Sequence, residues 1–122
     1  MDVLMTNQQY HKLLYLFMNG EMSEVTQKKE ENPFANNPET FKITYRRKSG
    51  KVLMVYYHYP ETEPDEYEGT DGSETGSIHM STYLYGKLKK LVRSRQSKVM
   101  DIFADWFEET TGQKVTDVAI YD

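Results

Sequence analysis

Apolar residues fall into a few separated stretches with helical or strand period. Tyr10, Leu13, Leu14 and Phe17 recur at i, i+3, i+4 and i+7, one face of a helix. Thr6 followed three residues later by Gln9 reads as the capping box that opens it, and Gly20 as its stop. Residues 23–31 are polar and read as a short second helical piece. Residues 32–39 hold Asn-Pro twice and read as a loop.

Residues 40–59 give the clearest pattern. Two β-rich runs flank Ser49-Gly50, which predicts a hairpin with a two-residue turn. That turn sets Lys48 opposite Lys51, Arg47 opposite Val52, Tyr45 opposite Met54, Ile43 opposite Tyr56 and Phe41 opposite His58. Phe41, Ile43, Tyr45, Val52, Met54 and Tyr56 then share a core face. The other face mixes Lys42, Thr44 and Arg46 with Leu53, Val55, Tyr57 and Tyr59, a half-apolar surface that is either partly covered or used for binding.

Residues 60–76 are acidic and rich in turn formers, and predict a mobile loop. A short strand follows over 77–80. Ser81 or Thr82 caps a helix with Leu84, Leu88, Leu91 and Val92 on one face. Ser97 caps another, with Val99, Ile102, Phe103 and Trp106 in register and Gly112 as its stop. Residues 114–121 alternate as a closing strand. The order predicts an α+β fold. A small antiparallel sheet of three or four strands, centred on the hairpin 40–59, carries about three helices packed mainly on one face. Leu13, Phe17, Ile43, Tyr56, Leu88, Ile102, Phe103 and Trp106 are expected in the core.

Length fits this to a single domain spanning 1–122, since 122 residues bury a core without staples. Aromatic residues make up 13% of the chain, which argues against global disorder. Cysteine is absent, so disulfides, zinc thiolates and cysteine nucleophiles are excluded. Residues 1–7 lack the features of a signal peptide. The longest apolar run, residues 13–18, falls far short of the ~20 residues a membrane helix needs. A cytoplasmic location is expected.

Charge changes the picture most. The net charge of −4 hides strong segregation. Lys42, Arg46, Arg47, Lys48 and Lys51 form one run without an acid. Lys87, Lys89, Lys90, Arg93, Arg95 and Lys98 form a second, and the two hold eleven of the fifteen bases. Between them Glu61, Glu63, Asp65, Glu66, Glu68, Asp71 and Glu74 form an acidic run that contains Tyr67 and no base. Asp101, Asp105, Glu108, Glu109, Asp117 and Asp122 make the last segment acidic again.

No catalytic motif accompanies these charges. His11, His58 and His79 stand at no metal-ligand spacing, and no phosphate loop or nucleophile elbow is present. Asp65, Asp71 and Glu74 lack the alternation of a calcium loop. No cofactor, metal or enzymatic activity is expected. The leading expectation is a small regulator or inhibitor that binds a protein partner through Glu61, Glu63, Asp65, Glu66, Tyr67, Glu68, Asp71 and Glu74. Dense carboxylates attract Arg and Lys clusters and speed association. The layout is similar in style to small acidic inhibitors and nucleic-acid mimics, many phage proteins among them. The alternative is RNA or single-stranded DNA binding through a basic hairpin, 42–51, and a basic helix, 87–98. Lys42, Arg46, Arg47, Lys48, Lys87, Lys90, Arg93 and Arg95 would meet phosphates there, while Tyr57 and Tyr59 stack bases. No RNA-recognition signature supports that alternative directly.

Overall fold

Thr6 opens the first helix as expected. Its hydroxyl accepts from the Gln9 N–H at 3.3 Å, and the Gln9 side chain accepts from the Thr6 N–H at 2.7 Å. The structure is a computed structural model that describes residues 6–31, 40–60, 67 and 74–121. In chain order it contains α1 (Asn7–Met22), β1 (Thr26–Glu31), β2 (Phe41–Arg46), β3 (Val52–Tyr59), β4 (Thr75–Ser81), α2 (Thr82–Leu91), α3 (Gln96–Thr111) and β5 (Asp117–Tyr121). The strands form one five-stranded sheet in the order β1-β2-β3-β4-β5. The α+β class and three helices match expectation. The strand number and the purely antiparallel pairing do not.

Gly20 does not stop α1. The helix runs two residues further, and the Ser23 hydroxyl donates to the Gly20 carbonyl at 2.7 Å. Its buried stripe is also turned by one position. Leu14 and Met18 are fully buried, with Tyr10 and Phe17 packed at their side. Leu13 does not join the core, and Leu16 is 75% exposed. A tertiary bond accompanies this rotation: Trp106 Nε1 donates to Asn19 Oδ1 at 3.0 Å, holding that flank of α1 against α3.

The polar stretch expected as helix is instead the edge strand β1. Thr26 pairs with Arg46 and Glu31 with Phe41, so the stretch gains a ladder of bonds to β2. An edge position tolerates charge, and Lys28, Lys29, Glu30 and Glu31 make this edge a poor template for further strands. Glu30 lies directly across from Lys42.

The hairpin register holds where the pattern alternates. Phe41 faces His58, Ile43 faces Tyr56 and Tyr45 faces Met54. It slips near the turn. The Gly50 N–H donates to the Arg47 carbonyl at 2.8 Å, and the Arg47 N–H to the Lys51 carbonyl at 2.9 Å. The loop is therefore Lys48-Ser49-Gly50, with Gly50 at φ +91°, a tight turn followed by a left-handed residue. Arg46 pairs with Val52, leaving Leu53 as an extra residue in β3. That bulge buries Leu53 beside Met54, so Leu53 leaves the open face to which simple alternation assigns it.

β4 extends the hairpin antiparallel, from Met54↔Met80 to Tyr59↔Thr75. β5 then pairs parallel to β4, from Ser77↔Asp117 to Ser81↔Tyr121. Two helices separate them in sequence, which is the length of crossover a parallel pair needs. Gly76 makes the closure possible. Its carbonyl accepts the Thr116 N–H at 2.7 Å, and the Tyr56 hydroxyl donates to the Lys114 carbonyl at 2.8 Å. A Cβ on Gly76 would stand 1.7 Å from that Lys114 oxygen, so only glycine fits.

All three helices share one core with Tyr45, Met54, Tyr56, Ile78 and Met80. Ser81 caps α2 by accepting from the Leu84 N–H, and Leu84, Leu88 and Val92 are fully buried. α3 begins at Gln96 after Arg95, with no side-chain cap, so Ser97 lies inside the helix rather than capping it. Gly112 terminates α3 at φ +75°, as expected. Phe107 lies 5.2 Å from the Tyr56 ring and 6.0 Å, edge on, from Tyr45. Strand positions of the opposite parity, including Lys42, Val55, Tyr57, Ser77, His79, Ala119 and Tyr121, form the other face. Among the described residues, no helix is long and apolar enough to cross a membrane.

Two outcomes test this packing. Phe103→Ala should lower stability by about 3–5 kcal/mol and Leu14→Ala by about 2–5 kcal/mol, while Leu13→Ala should cost well under about 1 kcal/mol. Urea midpoints at constant slope provide the check, and equal effects at 13 and 14 would refute the rotation of α1. Burial pushes the phenols of Tyr45 and Tyr56 from 10.0 up to about 12, with the nearby Glu74 carboxylate adding to the shift at Tyr56. A raised folded value favours the neutral form in the fold. The stabilisation is whole below pH 10 and is lost as pH rises through about 12. Urea midpoints should therefore be unaffected by these two groups below pH 10 and fall above it. Tyr45 and Tyr56 ionising near 10 in the intact fold would contradict this.

Candidate functional site

The two ends of the sheet carry different elements. At one end lie the β2–β3 turn, the start of α2 and the last residues of β4 and β5. At the other, Tyr59 and Thr75 anchor the acidic connection between β3 and β4. The eight residues of β3 separate the two by roughly 25 Å.

At the first end the two basic runs meet on Tyr83. The Arg47 guanidinium lies 3.8 Å from the centre of the Tyr83 ring, and Lys87 Nζ lies 5.6 Å from it. Both approach the electron-rich face that attracts cations. The placement follows from local structure. The three-residue loop puts Arg47 at the corner of the hairpin. Ser81, as N-cap, starts α2 beside β3 and sets Tyr83, Lys87 and Lys90 on the side away from Leu84 and Leu88.

The surrounding cations are held in different ways. Arg46 Nη1 donates to the Gly50 carbonyl at 3.1 Å, across its own turn. Lys48 is paired with Glu24, whose carboxylate raises the lysine's pKa by hydrogen bonding and by charge. A cleft of about 270 Å³ lies there, between Glu21 and Glu24 on one side and Arg47, Lys48 and Tyr83 on the other. Lys89 donates to the Ser94 carbonyl and so closes the C-terminal end of α2. Arg93 and Arg95 are exposed beyond that end, about 15 Å along α2 from Tyr83.

Lys42, Tyr57 and Tyr59 lie elsewhere, on the face of the sheet away from the helices. Lys42 is directly across from Tyr57. Tyr57 touches His79 at 4.7 Å between ring centres, and His79 is stacked on Tyr121 at 4.4 Å. The ten residues predicted for nucleic-acid contact therefore divide three ways. Arg46, Arg47, Lys48, Lys87 and Lys90 gather around the turn and α2. Arg93 and Arg95 follow α2, while Lys42, Tyr57 and Tyr59 sit on the open face. Sequence reasoning missed Tyr83, His79 and Tyr121. Tyr83 carries a sequence signal, its i, i+4, i+7 spacing with Lys87 and Lys90. His79 and Tyr121 carry none without the strand register.

Of the acidic run, Glu61, Glu63, Asp65, Glu66, Glu68 and Asp71 lie outside the described residues, as do the loop at 32–39 and Asp122. Tyr67 is fully exposed. Glu74, its side chain well exposed, lies 4.0 Å from His58 Nδ1, a buried nitrogen with no hydrogen-bond partner among the described residues. Asp101, Asp105, Glu108 and Glu109 are exposed along α3. Glu108 accepts the Val115 N–H at 2.9 Å. The Tyr15 phenol is pushed up to about 12 by burial, then by its hydrogen bond to Glu109 and the charges of Glu109 and Asp105.

Chemistry is sparse by comparison. Among the described residues, no group of three or more His, Asp or Glu side chains is placed to hold a metal ion. The histidines are apart, His11 against Tyr15, His58 against Phe41 and His79 against Tyr121. No protein-family model matches the chain, and no curated protein matches it.

Proposed function

We propose that the protein is a non-enzymatic macromolecule-binding protein that holds single-stranded nucleic acid, RNA or single-stranded DNA, at the basic end of its sheet. The observation that carries this reading is the convergence of Arg47 and Lys87 on the Tyr83 ring. Two cationic segments some forty residues apart in sequence form one surface there, with an exposed aromatic between them. Cations neutralise phosphates, and an aromatic face accepts a base whatever its identity. The acidic remainder of the molecule selects the form of the ligand. A stiff duplex extends past a small patch and meets repulsion from the acidic surface, whereas a flexible strand need only touch the cations.

A second reading, recognition of a basic protein partner by a small regulator or inhibitor, is favoured by the exposed Asp101, Asp105, Glu108 and Glu109 on α3. These lie on the helical layer and provide carboxylates of the same sign as the β3–β4 connection.

Fluorescence anisotropy with a short labelled oligoribonucleotide and its single-stranded DNA counterpart separates the two. Affinity should fall with salt at a slope of about −0.7 per phosphate contacted. Replacing Arg47 and Lys87 together by Ala should flatten that slope by about one to two units, at all sequences alike. Charge reversal at Asp101 and Asp105 should leave binding intact or strengthen it. Absence of binding at low salt and high micromolar protein would overturn the nucleic-acid reading and leave the acidic surface as the site.

A further inference from the structure

The open face of the sheet carries an aromatic row that runs diagonally across three strands. Tyr57 on β3 contacts His79 on β4, and His79 stacks on Tyr121 on β5 with only 25° between the ring planes. The diagonal follows from register. Tyr57 is directly across from Ser77 and His79 from Ala119, so each ring reaches the next by leaning two residues along the neighbouring strand. The row starts beside Lys42, the cross-strand neighbour of Tyr57. It ends at Tyr121, which pairs with Ser81, the cap of α2, and therefore lies at the basic end. Tyr121 is 56% exposed.

We infer that this row is a base-stacking site, taking two unpaired bases of the strand whose phosphates are held around Tyr83; the inference rests on the nucleic-acid reading above. His79 has Tyr121 stacked on one face and Tyr57 packed against it at a 51° tilt, so little of its ring is left for a base. It is a positioning residue that keeps Tyr57 and Tyr121 upright and apart. The outward faces of the two tyrosines are the surfaces that receive bases. Every base has a π-face, so the site has little sequence preference. Lys42, which also faces Glu30 on β1, supplies a cation for the backbone at one end of the row, and the basic end of the sheet lies beyond the other. Aromatics on an open sheet flanked by cations suit single strands, whose bases can be splayed out, rather than a stacked duplex.

The test compares two labelled probes of equal length and charge, an oligouridylate and an abasic oligomer, by anisotropy over a salt series. The wild-type protein should bind the oligouridylate more tightly. Tyr121→Ala and Tyr57→Ala should each weaken it roughly five- to a hundred-fold. Affinity for the abasic probe, and the salt slope of both, should be unchanged. His79→Ala should lose part of the preference, and His79→Phe, which keeps a ring between the tyrosines, should restore it. The exposure of Tyr121 makes that variant safe for folding, and thermal melts verify this for all four. Equal wild-type affinity for both probes would overturn the stacking site while the basic end stands. A preference that survives Tyr57→Ala and Tyr121→Ala together would move the base contact elsewhere and overturn the site too. Binding of neither probe would overturn both readings.

Discussion

The contact of Phe107 with Tyr45 and Tyr56 is the interaction on which the rest of the arrangement depends. It fixes α3 over β2 and β3, and Trp106 next to it holds α1 through Asn19. Aromatic side chains bury the largest areas, and edge or offset contacts between them favour particular ring geometries. With α3 seated there, α1 and α2 complete the same layer, and the apolar positions of the strands face it. A chain only 38% hydrophobic places its large buried side chains in this one core. The opposite sheet face is left to positions such as Lys42, Tyr57 and His79, which suit partial exposure.

Hairpin topology then sorts the charges. β3 begins at the basic turn and ends at the acidic connection, so a strand's length separates the anchors of the two. The parallel pairing of β5 returns the chain to the basic end at Tyr121, and the same end receives α2 through Ser81. The chain therefore leaves for the acidic run from the end of β3 opposite the basic turn. At that spacing the ends lie within about one Debye length at 0.01 M salt and about three apart at physiological salt. The basic surface therefore acts on a ligand largely as a local patch, despite the net charge of −4.

What could be read from the sequence tracks the strength of local signals. The capping box at Thr6 and Gln9, the αL stop at Gly112 and the hairpin pairs Phe41–His58, Ile43–Tyr56 and Tyr45–Met54 each depend on neighbours only a few residues away or on strict alternation. The failures depend on tertiary choices. Thr26–Glu31 has no apolar face, so nothing local distinguishes a polar helix from an edge strand, and the unpaired edge of β2 decides. Five apolar residues between Tyr10 and Met18 span more than one helical stripe, and the choice of Leu14 and Met18 over Leu13 follows the docking of α3. Ser49-Gly50 is compatible with two turn lengths, and the longer one carries the bulge that buries Leu53.

The candidate site shows the same division at larger scale. Each basic run was visible as composition, but their union on Tyr83 needed three tertiary facts: the three-residue loop at Arg47, the antiparallel register of β4 on β3, and the cap at Ser81. None of these is encoded in the charged residues themselves. The cations could have lain on opposite sides of the molecule with identical composition. Their meeting is a consequence of where the uncharged residues Ser81, Gly50 and Gly76 let the chain turn and close. The same holds for the aromatic row, since the parity of Tyr57, His79 and Tyr121 acquires meaning only once β5 is known to run parallel to β4. A reversed β5 would send Tyr121 to the end where β3 finishes, away from α2. The direction of that last strand, set by the α2–α3 crossover, therefore brings the end of the aromatic row to the same end of the sheet as the cap of α2.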